Sequence, residues 1–80
     1  MKIEVHFYAQ LRDFFGDSLS LELSEAATVA TLFTALTEKN ALAADWLKVS
    51  RAASDEAFLT PDTLLTAGAR CYILPPSSGG

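Results

Sequence analysis

The stretch SLSLELSEAATVATLFTALTEK, residues 18–39, changes its period halfway along. From Ser18 to Leu23 the residues Leu19, Leu21 and Leu23 recur at every second position, the spacing of a strand with one face buried. Beyond Thr28 the apolar residues Val29, Leu32, Phe33 and Leu36 fall at i, i+3, i+4 and i+7, a single stripe on a helix. Thr28 suits the N-cap, Glu25 lies just upstream, and Lys39 followed by Asn40 suits the C-terminal end.

Upstream, Lys2–Ala9 alternates strictly: Ile3, Val5, Phe7 and Ala9 on one face, Lys2, Glu4, His6 and Tyr8 on the other. Gln10–Phe15 breaks the alternation and Gly16-Asp17 supplies a turn, so the first two strands form a hairpin with a long connection. Downstream, Ala41–Leu47 reads equally well as a short second helix or a packed loop. Lys48–Ala53 and Ala57–Leu59 read as short strands joined near Ser54-Asp55-Glu56. Turns are expected at Pro61-Asp62 and Thr66-Ala67-Gly68. Arg70–Leu74 is a final strand, with Cys71 and Ile73 on one face and Tyr72 and Leu74 on the other. Runs of strands around one long helix predict an α+β domain with the helix packed across one sheet face.

Composition narrows the function classes. Eighty residues leave no room for two domains at roughly 100–200 residues each. Six basic against ten acidic side chains give a net charge of −4, and Lys2, Arg12, Lys39, Lys48, Arg51 and Arg70 are scattered. This argues against a nucleic-acid-coating role, which needs clustered cations. A single cysteine makes neither an intrachain disulfide nor a zinc knuckle. No apolar run approaches the ~20 residues of a membrane span, and the first residues lack a signal-peptide hydrophobic block. The cytoplasm is the expected compartment. With one His and one Cys, a His-based triad or a multi-His metal site is not expected.

Pro75-Pro76-Ser77-Ser78-Gly79-Gly80 follows the last strand directly. Two prolines cannot continue a central strand and favour an extended course, so the tail is expected to be aimed away from the domain and then to become flexible. Six residues reach about 20 Å, against an expected radius of gyration of ~12 Å for the whole chain. The two glycines lack Cβ atoms, so a narrow channel can approach their backbone closely. A carboxylate with a pKa of ~3.3–3.7 is ionised at neutral pH and must be activated before it transfers its acyl group. Ordering six residues costs on the order of 6–12 kcal/mol, which a tail without large side chains does not recover by its own contacts. A docking face on the body must supply the affinity, and the sheet face carrying Tyr8, Tyr72 and Leu74 is the candidate.

These residues resemble the ubiquitin-like β-grasp sulfur carriers, in particular the small subunits of molybdopterin synthases. IEVHFYAQLRDFFG resembles the family's first strand and its Ala-x-x-Arg-x-x-x-Gly signature, matched by Ala9, Arg12 and Gly16. TVATLFTALTEK resembles the β-grasp helix, RAASDEAFL the third and fourth strands, and LTAGARCYILPPSSGG the closing strand and tail. The chain departs from the pattern at Ser54, where Asn is common, and at Ala69 and Arg70, where acidic residues are common.

The resemblance implies a mixed sheet over residues 1–74 and a Gly-Gly tail over 75–80. It also implies a cycle centred on Gly80. A partner adenylating enzyme uses ATP to activate the Gly80 carboxylate, and a sulfur donor converts it to a thiocarboxylate. The tail (Pro75, Pro76, Ser77, Ser78, Gly79) then inserts into the large synthase subunit of a heterotetramer, where sulfur passes to cyclic pyranopterin monophosphate. The carrier itself binds no cofactor or metal in this scheme. Carriers feeding thiazole synthesis, protein modifiers joined through the same glycine, and an inert interaction module are the competing readings.

Other residues have quieter readings. Cys71 reads as a small buried hydrophobe, His6 as a surface or interface histidine, and Trp46 as a satellite of the core. Arg12 and Gly16 read as structural, with Arg12 tying the first loop to a carboxylate. Phe14 and Phe15, adjacent on the first loop, are candidate partner contacts with one of the two expected in the core. Phe15 joins Tyr8, Tyr72 and Leu74 as a candidate interface residue.

Overall fold

A computed structural model describes residues 1–76 of the chain. Strands β1 (Lys2–Phe7), β2 (Ser18–Glu22), β3 (Arg51–Ala53), β4 (Phe58–Leu59) and β5 (Arg70–Leu74) form one sheet in the order β2-β1-β5-β3-β4. The central pair β1–β5 is parallel and the other three pairs are antiparallel. This is the expected mixed α+β sheet.

Period-two patterning explains its two faces. Ile3, Val5, Phe7, Cys71, Ile73 and Ala52 are buried under the helices. In register with them, Glu4 pairs with Arg70, His6 with Tyr72, and Leu74 with Arg51 on the open face. Helix α2 (Val29–Lys39) covers the closed face with Val29, Leu32 and Leu36 buried. Its start is a reciprocal box: the Thr28 hydroxyl accepts from Thr31 N–H, and the Thr31 hydroxyl accepts from Thr28 N–H. The carbonyls of Thr63 and Pro61 accept from the N–H groups of Val29 and Ala30, so the Pro61–Thr63 loop satisfies donors that a helix start otherwise leaves open.

Three local expectations need correction. Ala9 is exposed, not inward, because the chain turns after Tyr8 and Ala9 adopts a left-handed φ of 50°. Gln10–Phe15 is helical rather than loop: a 3₁₀ turn (Ala9–Leu11) runs into α1 (Arg12–Phe15), burying Leu11 and packing both Phe14 and Phe15 against the core. Lys48 and Val49 are not strand. They finish α3 (Ala44–Val49), which follows a 3₁₀ turn (Ala41–Ala43) and seats Ala43 and Leu47 in the core. The Ser50 hydroxyl donates to the Trp46 carbonyl at 2.6 Å and ends that helix one residue before β3. Trp46 itself packs half-buried against the core.

Leu32 and Leu36 are wholly inaccessible, so truncation leaves a cavity as well as losing transfer energy. Leu32→Ala should lower unfolding free energy by about 2–5 kcal/mol, a large share of the roughly 5–15 kcal/mol such domains possess. Urea denaturation followed by circular dichroism checks this; a loss under 1 kcal/mol, taking about 2 as the floor for such truncations, would contradict the assigned packing.

Candidate functional site

The end of β5 is defined by backbone chemistry. Leu74 is the last paired residue, in register with Arg51, and Pro75-Pro76 brings no N–H with which to extend the ladder. Pro75 is half-buried and Pro76 exposed. The expected reacting residue Gly80, and Ser77, Ser78 and Gly79 with it, lie outside the described residues.

Around this exit the open sheet face presents aromatic surface. Tyr8 lies one residue beyond the end of β1, 41% exposed, its ring 6.3 Å from that of Tyr72. His6 stands 5.4 Å from Tyr72 on the other side. Tyr8, Tyr72 and Leu74 are therefore brought to one face. Phe15 is not: its ring stacks on buried Phe7 at 4.7 Å, on the helix side of the sheet. The stacking follows from α1, which turns Phe15 inward beside Phe14.

Sequence reading missed two residues of this face. Ala53 is in register with Tyr72 on one side and Phe58 on the other, so Phe58 extends the apolar row and is 55% exposed. The Arg51 guanidinium lies over the Phe58 ring, 3.9 Å from its centroid. Only the non-local pairing of β3 with β5 puts these residues beside Leu74, and no local pattern signals it.

The polar groups hold this surface in place. Glu4 receives His6 Nε2 at 2.9 Å on one oxygen and lies 3.7 Å from Arg70 Nε on the other. The Tyr72 hydroxyl donates to Asp55 at 2.6 Å. That bond to a carboxylate raises the phenol above its ordinary pKa; the nearby Arg70 cation opposes it and is outweighed. Ser54 closes the β3–β4 turn, its hydroxyl accepting from the N–H groups of Glu56 and Ala57. Ser thus fills the turn role for which Asn is common.

Arg12 Nε donates to Asp17 at 3.1 Å across Gly16. Gly16 has a φ of +82° with open space around a notional Cβ, so backbone conformation and not crowding favours glycine there. Both partners of this ion pair are exposed, which limits its worth to about 0–1 kcal/mol. Cys71 is buried in the central strand, where desolvation pushes its thiol pKa up and makes it a poor nucleophile. Among the described residues no group of three His, Cys, Asp or Glu side chains is placed to hold a metal, and no helix is long and apolar enough to cross a membrane.

The ThiS family profile matches residues 5–80. No curated protein matches the chain in sequence. Among solved structures, the chain is similar to SAMP1 from Haloferax volcanii (TM-score 0.82, 20% identity, 100% of both chains). It is also similar to a Pyrococcus furiosus protein assigned as molybdopterin converting factor subunit 1 (0.85, 21%, 96% of this chain and 99% of that one). A third is the complex of subunits 1 and 2 of the molybdopterin-converting factor from Helicobacter pylori (0.72, 22%, 100% of both chains). At these identities the likeness is one of fold.

Because the phenol pKa is raised in the folded state, the Tyr72–Asp55 contact contributes fully below the ordinary tyrosine pKa and is lost as pH climbs through the raised value. In an alkaline titration read by phenolate absorbance, one of the two tyrosines should ionise later than the other. Asp55→Asn should bring the late one back towards the ordinary value. Coincident titration in the unmodified protein would contradict the bond.

Proposed function

The chain belongs to the ThiS family of small ubiquitin-like sulfur carriers, and from that premise we propose that it carries sulfur on Gly80 for the building of molybdopterin. The supporting observation is a family match that runs through to Gly80 on a chain whose central strand ends at Pro75-Pro76 beside an aromatic face. In this reading the Gly80 carboxylate attacks the α-phosphorus of ATP on an adenylating partner and pyrophosphate leaves. Sulfide-level sulfur from a donor then displaces AMP at the carbonyl carbon, giving a thiocarboxylate. Ionised carboxylate oxygen is a poor leaving group and AMP a good one, so the detour supplies the driving force.

The loaded tail, Pro75 to Gly80, enters the large subunit of the synthase while Tyr8, Tyr72 and Leu74 dock on its surface. A heterotetramer of two carriers and two large subunits is the assembly we propose. There the thiocarboxylate sulfur attacks cyclic pyranopterin monophosphate. Enclosure in the partner supplies proximity and shields the thioacid from water. The carrier's own side chains perform no proton transfer and hold no cofactor in this scheme; ATP is consumed by the partner.

A second reading, attachment of Gly80 to lysines of other proteins, draws support from the likeness to SAMP1 over the full chain. Supply of sulfur for thiazole is the alternative within the family. The first step is common to all three, so the product distinguishes them.

Intact-mass analysis of the chain purified from cells making the cofactor should find a species heavier by about 16 Da, oxygen replaced by sulfur. Deleting Gly80 should remove that species and abolish molybdopterin formation. Stability should stay within about 0.5 kcal/mol, because among the described residues the last buried one is Ile73. An unaltered terminus, or Gly80 found mainly in isopeptide bonds, would overturn the proposal.

A further inference from the structure

We infer that the helical side of the domain, opposite the open sheet face, pairs with a second copy of this chain through a groove beside α2. Two hollows meet there. One, of about 370 Å³, lies between the start of α2 and the β3–β4 pair, with Val29, Phe33, Leu47, Leu59 and Pro61 in its wall. The other, of about 270 Å³, lies between the end of α2 and α3, with Phe33, Thr34, Thr37 and Leu47 in its wall. Phe33, Leu47 and Lys48 belong to both, so the two run together as one mostly apolar groove.

Charge identifies the occupant. The second hollow carries Glu38 from α2 and Lys48 from α3. Both are exposed, and among the described residues neither forms an ion pair. A patch with one charge of each sign is complementary to itself. A two-fold rotation sets Glu38 of one copy against Lys48 of the other, and the reverse contact follows by symmetry. A partner surface of one dominant charge would satisfy one of these groups and repel the other.

The exposed apolar side chains agree. Tyr8 and Phe58 belong to the open sheet face, whereas Leu42 (83% exposed) and Val49 (57% exposed) stand on the segment of residues 41–49 that walls the groove. Projecting apolar groups beside an apolar hollow place knob and hole on one surface, which an isologous contact requires. The sheet separates this groove from Tyr8, Tyr72 and Leu74, so pairing through it leaves both aromatic faces and both ends of β5 uncovered. The inference therefore does not depend on what Gly80 carries. A contact confined to one groove falls at the small end of interface sizes, and the dimer it makes is weak and reversible.

Sedimentation equilibrium of the full-length protein over a rising concentration series tests this. The parent should show a reversible monomer–dimer equilibrium with no larger species. Glu38→Lys and Lys48→Glu should each weaken dimerisation by about tenfold or more, since each sets like charges together twice. An equimolar mixture of the two variants should regain at least the parent's affinity, because each then supplies the charge that the other lacks. An ion pair within one copy would not produce that rescue. Thr34→Arg, at an exposed position inside the groove, should abolish the dimer while leaving the melting temperature unchanged. A parent that stays monomeric at every concentration, a dimer indifferent to Thr34→Arg, or a mixture as weak as its components would each overturn the inference. The mass of the C-terminus is untouched by any of these outcomes, so the carrier reading stands or falls separately.

Discussion

The parallel pairing of β1 with β5 is the constraint on which the remainder hangs. It sets Val5 beside Cys71 and Phe7 beside Ile73, joining segments from opposite ends of the sequence. A contact of such separation is entropically expensive to close, and its compensation is apolar: those four side chains are all buried under α2. Once the pair forms, β2 and β3 have only one free edge each on which to add. The same pairing carries the C-terminal strand through the middle of the sheet, so the chain leaves from its centre and is flanked on both sides by side chains able to guide it.

Alternation then divides the work. One parity of β1, β3 and β5 builds the core, while the other builds a surface of Tyr72, Leu74, Ala53 and Phe58 edged by His6 and Arg51. A one-residue slip in β5 would exchange Cys71 and Ile73 for Tyr72 and Leu74 and destroy both at once. Register is therefore enforced by the core, and the open aromatic face inherits its geometry without a separate energetic cost. The Glu4 contacts with His6 and Arg70, and the Tyr72–Asp55 bond, act on rotamers that packing has already placed. Their exposed ion pairs add little stability, but they narrow the orientations that the aromatic rings present.

Much of this was legible because periodicity is local. The Thr28 cap and the Val29, Leu32, Leu36 stripe can be read within one helix, and the alternations of Lys2–Phe7 and Arg70–Leu74 within one strand each. What escaped required knowledge of a neighbour. Lys48 and Val49 continue a helix because Ala43 and Leu47, four apart, both reach the core; a five- or six-residue window around Val49 looks like strand. The spacing of Leu11, Phe14 and Phe15 is already helical and directs Phe15 onto Phe7, away from the face of Tyr8 and Tyr72. Arg51 and Phe58 become neighbours of Leu74 only through the β3–β5 register, which nothing within either segment specifies. Ser77 to Gly80, which carry the proposed chemistry, are marked in the sequence by composition and by the family resemblance.

In the proposed cycle the carrier visits an activating enzyme and then a synthase, and it has to leave each of them. Very tight docking would defeat it, since release would limit the cycle. Specificity must then come from arrangement rather than from area. In the proposed function recognition and reaction are divided between the folded body and the terminal segment, which lets one fold serve different chemistries.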